Sequence, residues 1–178
     1  MRLFIAAQLP DQVVQALSET SAALRDSVRG RYVRPDLFHV TLAFLGEVDL
    51  WRVDDVQAAL ARACAGHQQF DVRLGELGCF GKRAKATLWQ GFCNPASFGA
   101  LAEDVRAELA REGFDFDAKP FRAHVTLMRA ADLTAGQLPM PTCAGGTVDS
   151  VCLFKSDLSG KHPVYEALSI ERLEPRAS

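Results

Sequence analysis

The tripeptide His-Val-Thr occurs twice, as His39-Val40-Thr41 and His124-Val125-Thr126, and each copy runs on into leucine and a short apolar tail. Two imidazoles suit a displacement in which one group takes a proton from the attacking atom while the other gives one to the leaving atom. An unperturbed histidine, with a pKa near about 6.5, can do either close to neutral pH. A hydroxyl two residues from each imidazole adds a donor for an oxygen that carries negative charge. Side chains alternate faces along a strand, so in each copy His and Thr point one way while Val and Leu point the other. A single copy would be an ordinary half-buried strand, since all four residue types are tolerated there. Two copies, 85 residues apart, read as two halves of one site.

That interval is about the length of a unit of two strands and a helix with their connections. Leu3 to Gln8 reads as a first strand, closed by Pro10-Asp11, which can start a helix. Val13, Leu17, Ser21, Leu24 and Val28 then follow at spacings of three and four, one face of an amphipathic helix that Arg29-Gly30 ends. An irregular stretch through Pro35-Asp36 delivers the chain to the first His strand. A second helix is expected from about Leu50 to Ala65, with Val53, Val56, Leu60 and Cys64 inward. Phe70 to Phe80 and Lys85 to Phe92 read as two strands joined at Gly81, and a third helix runs from Asn94-Pro95 to Gly113. The second His strand follows. A loop from Leu133 to Gly146 then leads to strands near Val148 to Phe154 and Val164 to Glu171. Strands and helices interleave twice, which predicts an α+β fold of two related sheet lobes.

A chain of 178 residues with 48% hydrophobic and 24% charged residues can bury a core without disulfide or metal staples, and no linker or low-complexity run divides it. One domain of two lobes, spanning 1–178, is expected. The net charge of −2 argues against holding nucleic acid along a broad basic surface. The densest basic cluster, Lys82-Arg83-Ala84-Lys85, reads as a solvated hairpin tip before a phosphate guide. Cys64, Cys79, Cys93, Cys143 and Cys152 are odd in number and lack Cys-x-x-Cys spacing, which predicts reduced, mostly buried thiols rather than a disulfide framework or a zinc ribbon. The opening residues lack the layout of a signal peptide, and no apolar run approaches the ~18 residues of a membrane span. A cytoplasmic protein is expected.

Asp36-Leu37-Phe38-His39-Val40-Thr41-Leu42-Ala43-Phe44-Leu45-Gly46-Glu47 and Pro120-Phe121-Arg122-Ala123-His124-Val125-Thr126-Leu127-Met128-Arg129 resemble the paired H-x-T/S motifs of the two-histidine (2H) phosphoesterase superfamily. Within it the resemblance is to the RNA 2′,3′-cyclic phosphodiesterases, also called 2′-5′ RNA ligases, and it extends over nearly the whole chain. It includes Arg2-Leu3-Phe4-Ile5-Ala6, Phe80-Gly81-Lys82-Arg83 with Ala86-Thr87-Leu88-Trp89, and Leu153 to Leu158 with Tyr165. Ala123 departs from it, standing where the family commonly has Pro, a change of loop stiffness more than of chemistry. The resemblance implies two antiparallel sheets with helices outside and the His strands facing each other across a central cleft. It also implies opening of a 2′,3′-cyclic phosphate at an RNA 3′ end or on a nucleotide, with His39 protonating the departing 3′ oxygen, His124 activating water and a 2′-phosphate as product. The residues alone do not fix that division, nor whether the reverse joining through a 2′-5′ linkage matters.

Thr41 and Thr126 are the expected phosphate ligands, followed by Arg129, because the resembling motif continues H-x-T-L-x-R. Strict alternation turns Arg129 away from His124, so it can serve the site only if the strand ends or bulges before it. Phe44 is read as sharing the face of His39 and as a candidate for base stacking, with a core role the plainer alternative; Phe4 and Tyr165 have the same standing. His67 and His162 read as exposed bystanders, and Ser159-Gly160 lacks the context of a nucleophile elbow. No cofactor, metal or obligate protein partner is called for, and a monomer is expected. A module that binds nucleotides or RNA ends without turnover is a second reading, as is a phosphodiesterase acting on another cyclic phosphate or on 2′-5′ oligonucleotides. Intact H-x-T in both copies favours turnover, since a binder needs no paired acid and base.

Overall fold

The computed structural model describes residues 1–176 and shows an α+β fold of two antiparallel sheets. The first contains β1 (Arg2–Ala7), β3 (Val40–Glu47), β8 (Ser150–Asp157) and β9 (Val164–Arg172), in the order β3-β1-β8-β9. The second contains β2 (Arg29–Tyr32), β4 (Phe70–Phe80), β5 (Ala86–Phe92), β6 (His124–Asp132) and β7 (Gly145–Val148), in the order β2-β6-β5-β4-β7. The first H-x-T motif enters β3 and the second opens β6, so each sheet carries one.

Three α-helices among the described residues cover the sheet faces turned away from the site. The first, α1 (Asp11–Leu24), buries Val13, Leu17 and Leu24, the stripe expected from the spacing, and its Thr20 hydroxyl accepts the Thr142 backbone N–H. Although it follows β1 of the first sheet, α1 packs against β7 of the second. Conversely, α3 (Ala96–Arg111) follows β5 of the second sheet and packs against β3 of the first and against α2 (Val53–Cys64). Each half of the chain thus lends a helix to the other's sheet. Arg62 on α2 bonds Glu108 and Glu112 at 2.8 and 2.5 Å, an exposed cross-link worth less than the Val56, Leu60, Leu101 and Val105 packing around it.

Two strands depart from the expectation. Arg29–Tyr32, read as irregular, is β2, which pairs antiparallel with the end of β6. Gly145–Val148, read mostly as loop, is β7, which pairs with the start of β4. Both are four-residue edge strands without an alternating apolar signal, held by pairing with a longer neighbour rather than by their own side chains. No helix among the described residues is long and apolar enough to cross a membrane.

Both His strands are bulged, at equivalent places. In β3, Thr41 pairs with Ala6 and Ala43 with Ile5, so Leu42 is the extra residue; in β6, Thr126 pairs with Trp89 and Met128 with Leu88, so Leu127 is the extra one. A bulge breaks the two-residue period. Leu42-Ala43 and Leu127-Met128 are consequently buried as consecutive pairs, and the strand faces exchange beyond them.

Candidate active site

The bulges decide which side chains reach the cleft. Phe44 pairs with Phe4, which lies on the same face of β1 as Ala6, the partner of Thr41. Phe44 therefore shares the face of His39 and Thr41, as expected, although unbroken alternation from His39 would have sent it inward. Arg129 follows buried Met128 and emerges exposed on the face of His124 and Thr126, meeting the condition set by the sequence. Its charge adds to the burial that lowers both imidazoles and opposes the burial that raises Tyr165, so it is felt by both sheets at once.

Each imidazole is held in the same way. The Nδ1 of His39 lies 2.7 Å from the Leu37 carbonyl oxygen, and that of His124 lies 2.6 Å from the Arg122 carbonyl oxygen, two residues back in both cases. A carbonyl can only accept, so Nδ1 carries the proton and Nε2 is the ring nitrogen left with a free lone pair in both rings. In the first sheet the Thr41 hydroxyl donates to the His39 Nε2 at 2.9 Å.

Aromatic rings flank both histidines. Phe4 and Tyr165 lie with ring centroids 5.0 and 5.6 Å from His39, and Phe154 stacks on Phe4 at 5.2 Å. Phe80 and Trp89 lie 5.0 and 5.8 Å from His124. The Trp89 indole lies flat across Gly78, where a Cβ would come within 2.2 Å of the ring. Arg122 places its guanidinium 4.7 Å from the Trp89 ring centre, and Arg2 does the same over Phe44. Of these, Phe4, Phe44 and Tyr165 were candidates from sequence; Phe80, Trp89 and Arg122 were not. The position of Arg122 two residues before His124 was the signal for the last; Ala123 between them turns into the core.

The walls depress both imidazoles. Burial pushes His39 down to about 4, helped by the charges of Arg129 and His124 and opposed by the Leu37 carbonyl. His124 is also held below its ordinary value, by burial first and then by Arg122 and Arg129, against the pull of the Arg122 carbonyl. Both rings are therefore neutral at pH 7 in the free protein. An entering anion would offset Arg129 and raise both pKa values, so that one ring can be charged while the other remains a base. Beside His39 the cleft opens into a cavity of about 200 Å³ walled by Leu37, Phe154, Val164 and Tyr165, with the Arg34–Asp36 ion pair at its edge.

The other candidates lie elsewhere. His162 is an exposed bystander, as expected. His67 is not: it is half-buried, with Nε2 2.7 Å from the Asp104 carboxylate on α3, because the turn after α2 folds back onto that helix. All five cysteines are free, but Cys93 and Cys143 are exposed and Cys79 is half-buried, so the thiols are less buried than expected. Burial pushes Cys64 up to about 12 and Cys152 up to about 11, which leaves both inert as nucleophiles.

Two antiparallel sheets, each offering an imidazole and a hydroxyl from an H-x-T strand, define a two-histidine cleft. The chain belongs to the 2′-5′ RNA ligase superfamily, whose family model matches residues 9–159. It is 33% identical to the RNA 2′,3′-cyclic phosphodiesterase of Thermus thermophilus over 94% of this chain and 88% of that relative. It is equally identical to the RNA 2′,3′-cyclic phosphodiesterase of Geobacillus stearothermophilus over 93% of this chain, which spans 55% of that longer relative. The crystal structure of the Thermus thermophilus protein TT0787 superposes with a TM-score of 0.85 at 30% identity, covering 99% of this chain and all of that one.

Proposed function

We propose that this chain hydrolyses 2′,3′-cyclic phosphates at RNA ends, leaving a 2′-phosphate, and that the two lobes act as one catalytic domain. The observation that carries the reading is the matched presentation of two Nε2 atoms, each fixed by a carbonyl on its Nδ1, from facing sheets. The named activity of the relatives agrees with it. Water attacks phosphorus in line with the 3′ oxygen while His124 takes the water proton. The bond from phosphorus to the 3′ oxygen breaks as His39 delivers its proton to that oxygen, and the phosphate stays on the 2′ oxygen. Thr41, Thr126 and Arg129 hold the non-bridging oxygens as charge builds on them. Thr41 can turn from the His39 Nε2 to the phosphate once that nitrogen is protonated and no longer accepts. Phe44 is a secondary wall, because Arg2 already covers one face of its ring. The enzyme works as a monomer in the cytoplasm on RNA ends. The testing experiment is phosphorus NMR of a short RNA ending in 2′,3′-cyclic phosphate after incubation with the protein in EDTA. A 2′-monophosphate is expected; a 3′-monophosphate would reverse how the ribose sits between the histidines, and an untouched end would reject the reading.

A further inference from the structure

Beyond His124, the cleft face of the second sheet is cationic and carries one exposed aromatic ring. β2 pairs Arg31 directly with Arg129, so two guanidiniums stand opposite each other on that face. Among the described residues neither has a carboxylate within salt-bridge distance, although like charges paired across a sheet are destabilising. On the far side of β5, Thr87 pairs with Phe80 on the same face, and Phe80 remains 41% exposed while its ring edges against His124. The β4–β5 tip just beyond Phe80 adds Lys82 and Lys85, both exposed and both without an ionic partner among the described residues. Arg83 between them is occupied, donating to the Leu133 carbonyl. A row of unopposed cations flanking one open ring beside the reacting centre matches a single strand of nucleic acid, whose phosphates need cations and whose bases need a π-face.

Resting on the function proposed above, we infer that the RNA strand 5′ of the reacting end lies across this face of the second sheet. Phe80 stacks the penultimate base, and Arg31, Lys82 and Lys85 hold the phosphates that follow. The cyclic end alone would fill the cleft but leave this track empty, so a chain of several nucleotides is the better substrate.

The test compares a 2′,3′-cyclic mononucleotide with a tetranucleotide ending in the same group, at several KCl concentrations. For the tetranucleotide, the slope of log kcat/KM against log salt should flatten by about 0.7 for each cation removed in Arg31→Ala and in Lys82→Ala/Lys85→Ala. Turnover of the mononucleotide should not change in those variants. Phe80→Leu keeps apolar bulk against His124 but loses the stacking face, and should cost the tetranucleotide about 5- to 150-fold more than the mononucleotide. Melting temperatures should not fall for Arg31→Ala, as they would if Arg31 served the fold. Anisotropy of a labelled tetranucleotide ending in 2′-phosphate reads the same track without turnover. Binding that weakens in the variants while the wild type leaves cyclic ends intact would keep the track and reject the proposed reaction. Equal effects on both substrates, or binding indifferent to all three variants, would overturn the track itself.

Discussion

Arg129→Met removes the guanidinium while keeping most of the side-chain stem, and two consequences of known sign should appear together. Arg129 is exposed on the cleft face and its charge reaches both imidazoles, which places it to act on an anion held between them. Removing one preorganised donor from a site that stabilises developing negative charge costs about 2.7–4 kcal/mol, or about 100- to 1000-fold in kcat/KM. Burial is the main cause of the low imidazole pKa values and Arg129 adds to it, so its loss lets both rise part of the way, and the alkaline limb of the kcat/KM profile should move to higher pH. Arg129→Lys keeps the charge without the planar fork; it should hold the wild-type pH profile and recover part of the rate. The melting temperature should hold or rise in Arg129→Met, since Arg31 loses a like charge across the pair. Initial rates on a cyclic-ended oligonucleotide, measured across the acid and neutral range at constant ionic strength, read all of this. Undiminished kcat/KM in Arg129→Met would remove the residue from the site. A rate loss with an unmoved pH profile would mean that the charge does not act on the imidazoles.

Replacing His39 or His124 by Ala should each lower kcat by at least about 100-fold, and up to about 10,000-fold, with circular dichroism unchanged; wild-type turnover in either variant would exclude that ring from the mechanism. With His39 at about 4 and His124 below its ordinary value, the maximum of kcat/KM should lie below about pH 6.5, and above it each pH unit should cost about tenfold because the acid's proton must be recruited; a profile flat through pH 7 and 8 would contradict the pKa directions. The same depressed pKa acts on stability: His39 favours the fold fully above about pH 6.5, and that contribution is lost as pH falls toward about 4, so denaturant midpoints should drop across this window in the wild type and less in His39→Gln. Gly78→Ala drives a Cβ into the Trp89 indole, and overpacking of about 1–3 kcal/mol should lower the melting temperature by several degrees in a thermal scan; an unchanged melting point would show that the ring can shift freely. Chelators should leave the rate unaltered, because acid, base and charge clamp are all side chains; activity abolished by EDTA and restored by added metal would defeat that account.

The helices and long strands were legible because their apolar residues repeat at three and four or at two, and the H-x-T pairs because polar residues alternate with buried ones. The short edge strands were not. Arg29-Gly30-Arg31-Tyr32 has no inward apolar pair, and only pairing with β6 makes it a strand, so Arg31 could not be seen facing the cleft. Phe80 and Trp89 were legible as strand residues but not as neighbours of His124, because that contact depends on a Gly78 that leaves room for an indole to lie flat. His67 was misjudged for a related reason, its partner Asp104 being supplied by a helix distant in sequence.

The bulges were not legible in the sequence, because only strand pairing shows them. After each H-x-T comes an adjacent apolar pair, Leu42-Ala43 and Leu127-Met128, and both members are buried. Burial of such a pair is not enough, since β8 buries Val151, Cys152 and Leu153 in regular register; it is the skipped partner on the neighbouring strand that marks where the period slips. The fifth residue after each histidine is thereby returned to the cleft, as Phe44 on one sheet and Arg129 on the other. The backbone device is duplicated, down to the carbonyl that fixes each Nδ1, but what it delivers is not: Phe4 and Tyr165 flank His39, whereas Phe80 and Trp89 flank His124 together with the charges of Arg122 and Arg129. Equivalent scaffolds therefore hold the two imidazoles in the same way, while the side chains around them differ. An anion bound between them therefore meets Arg129, whose charge already reaches both rings.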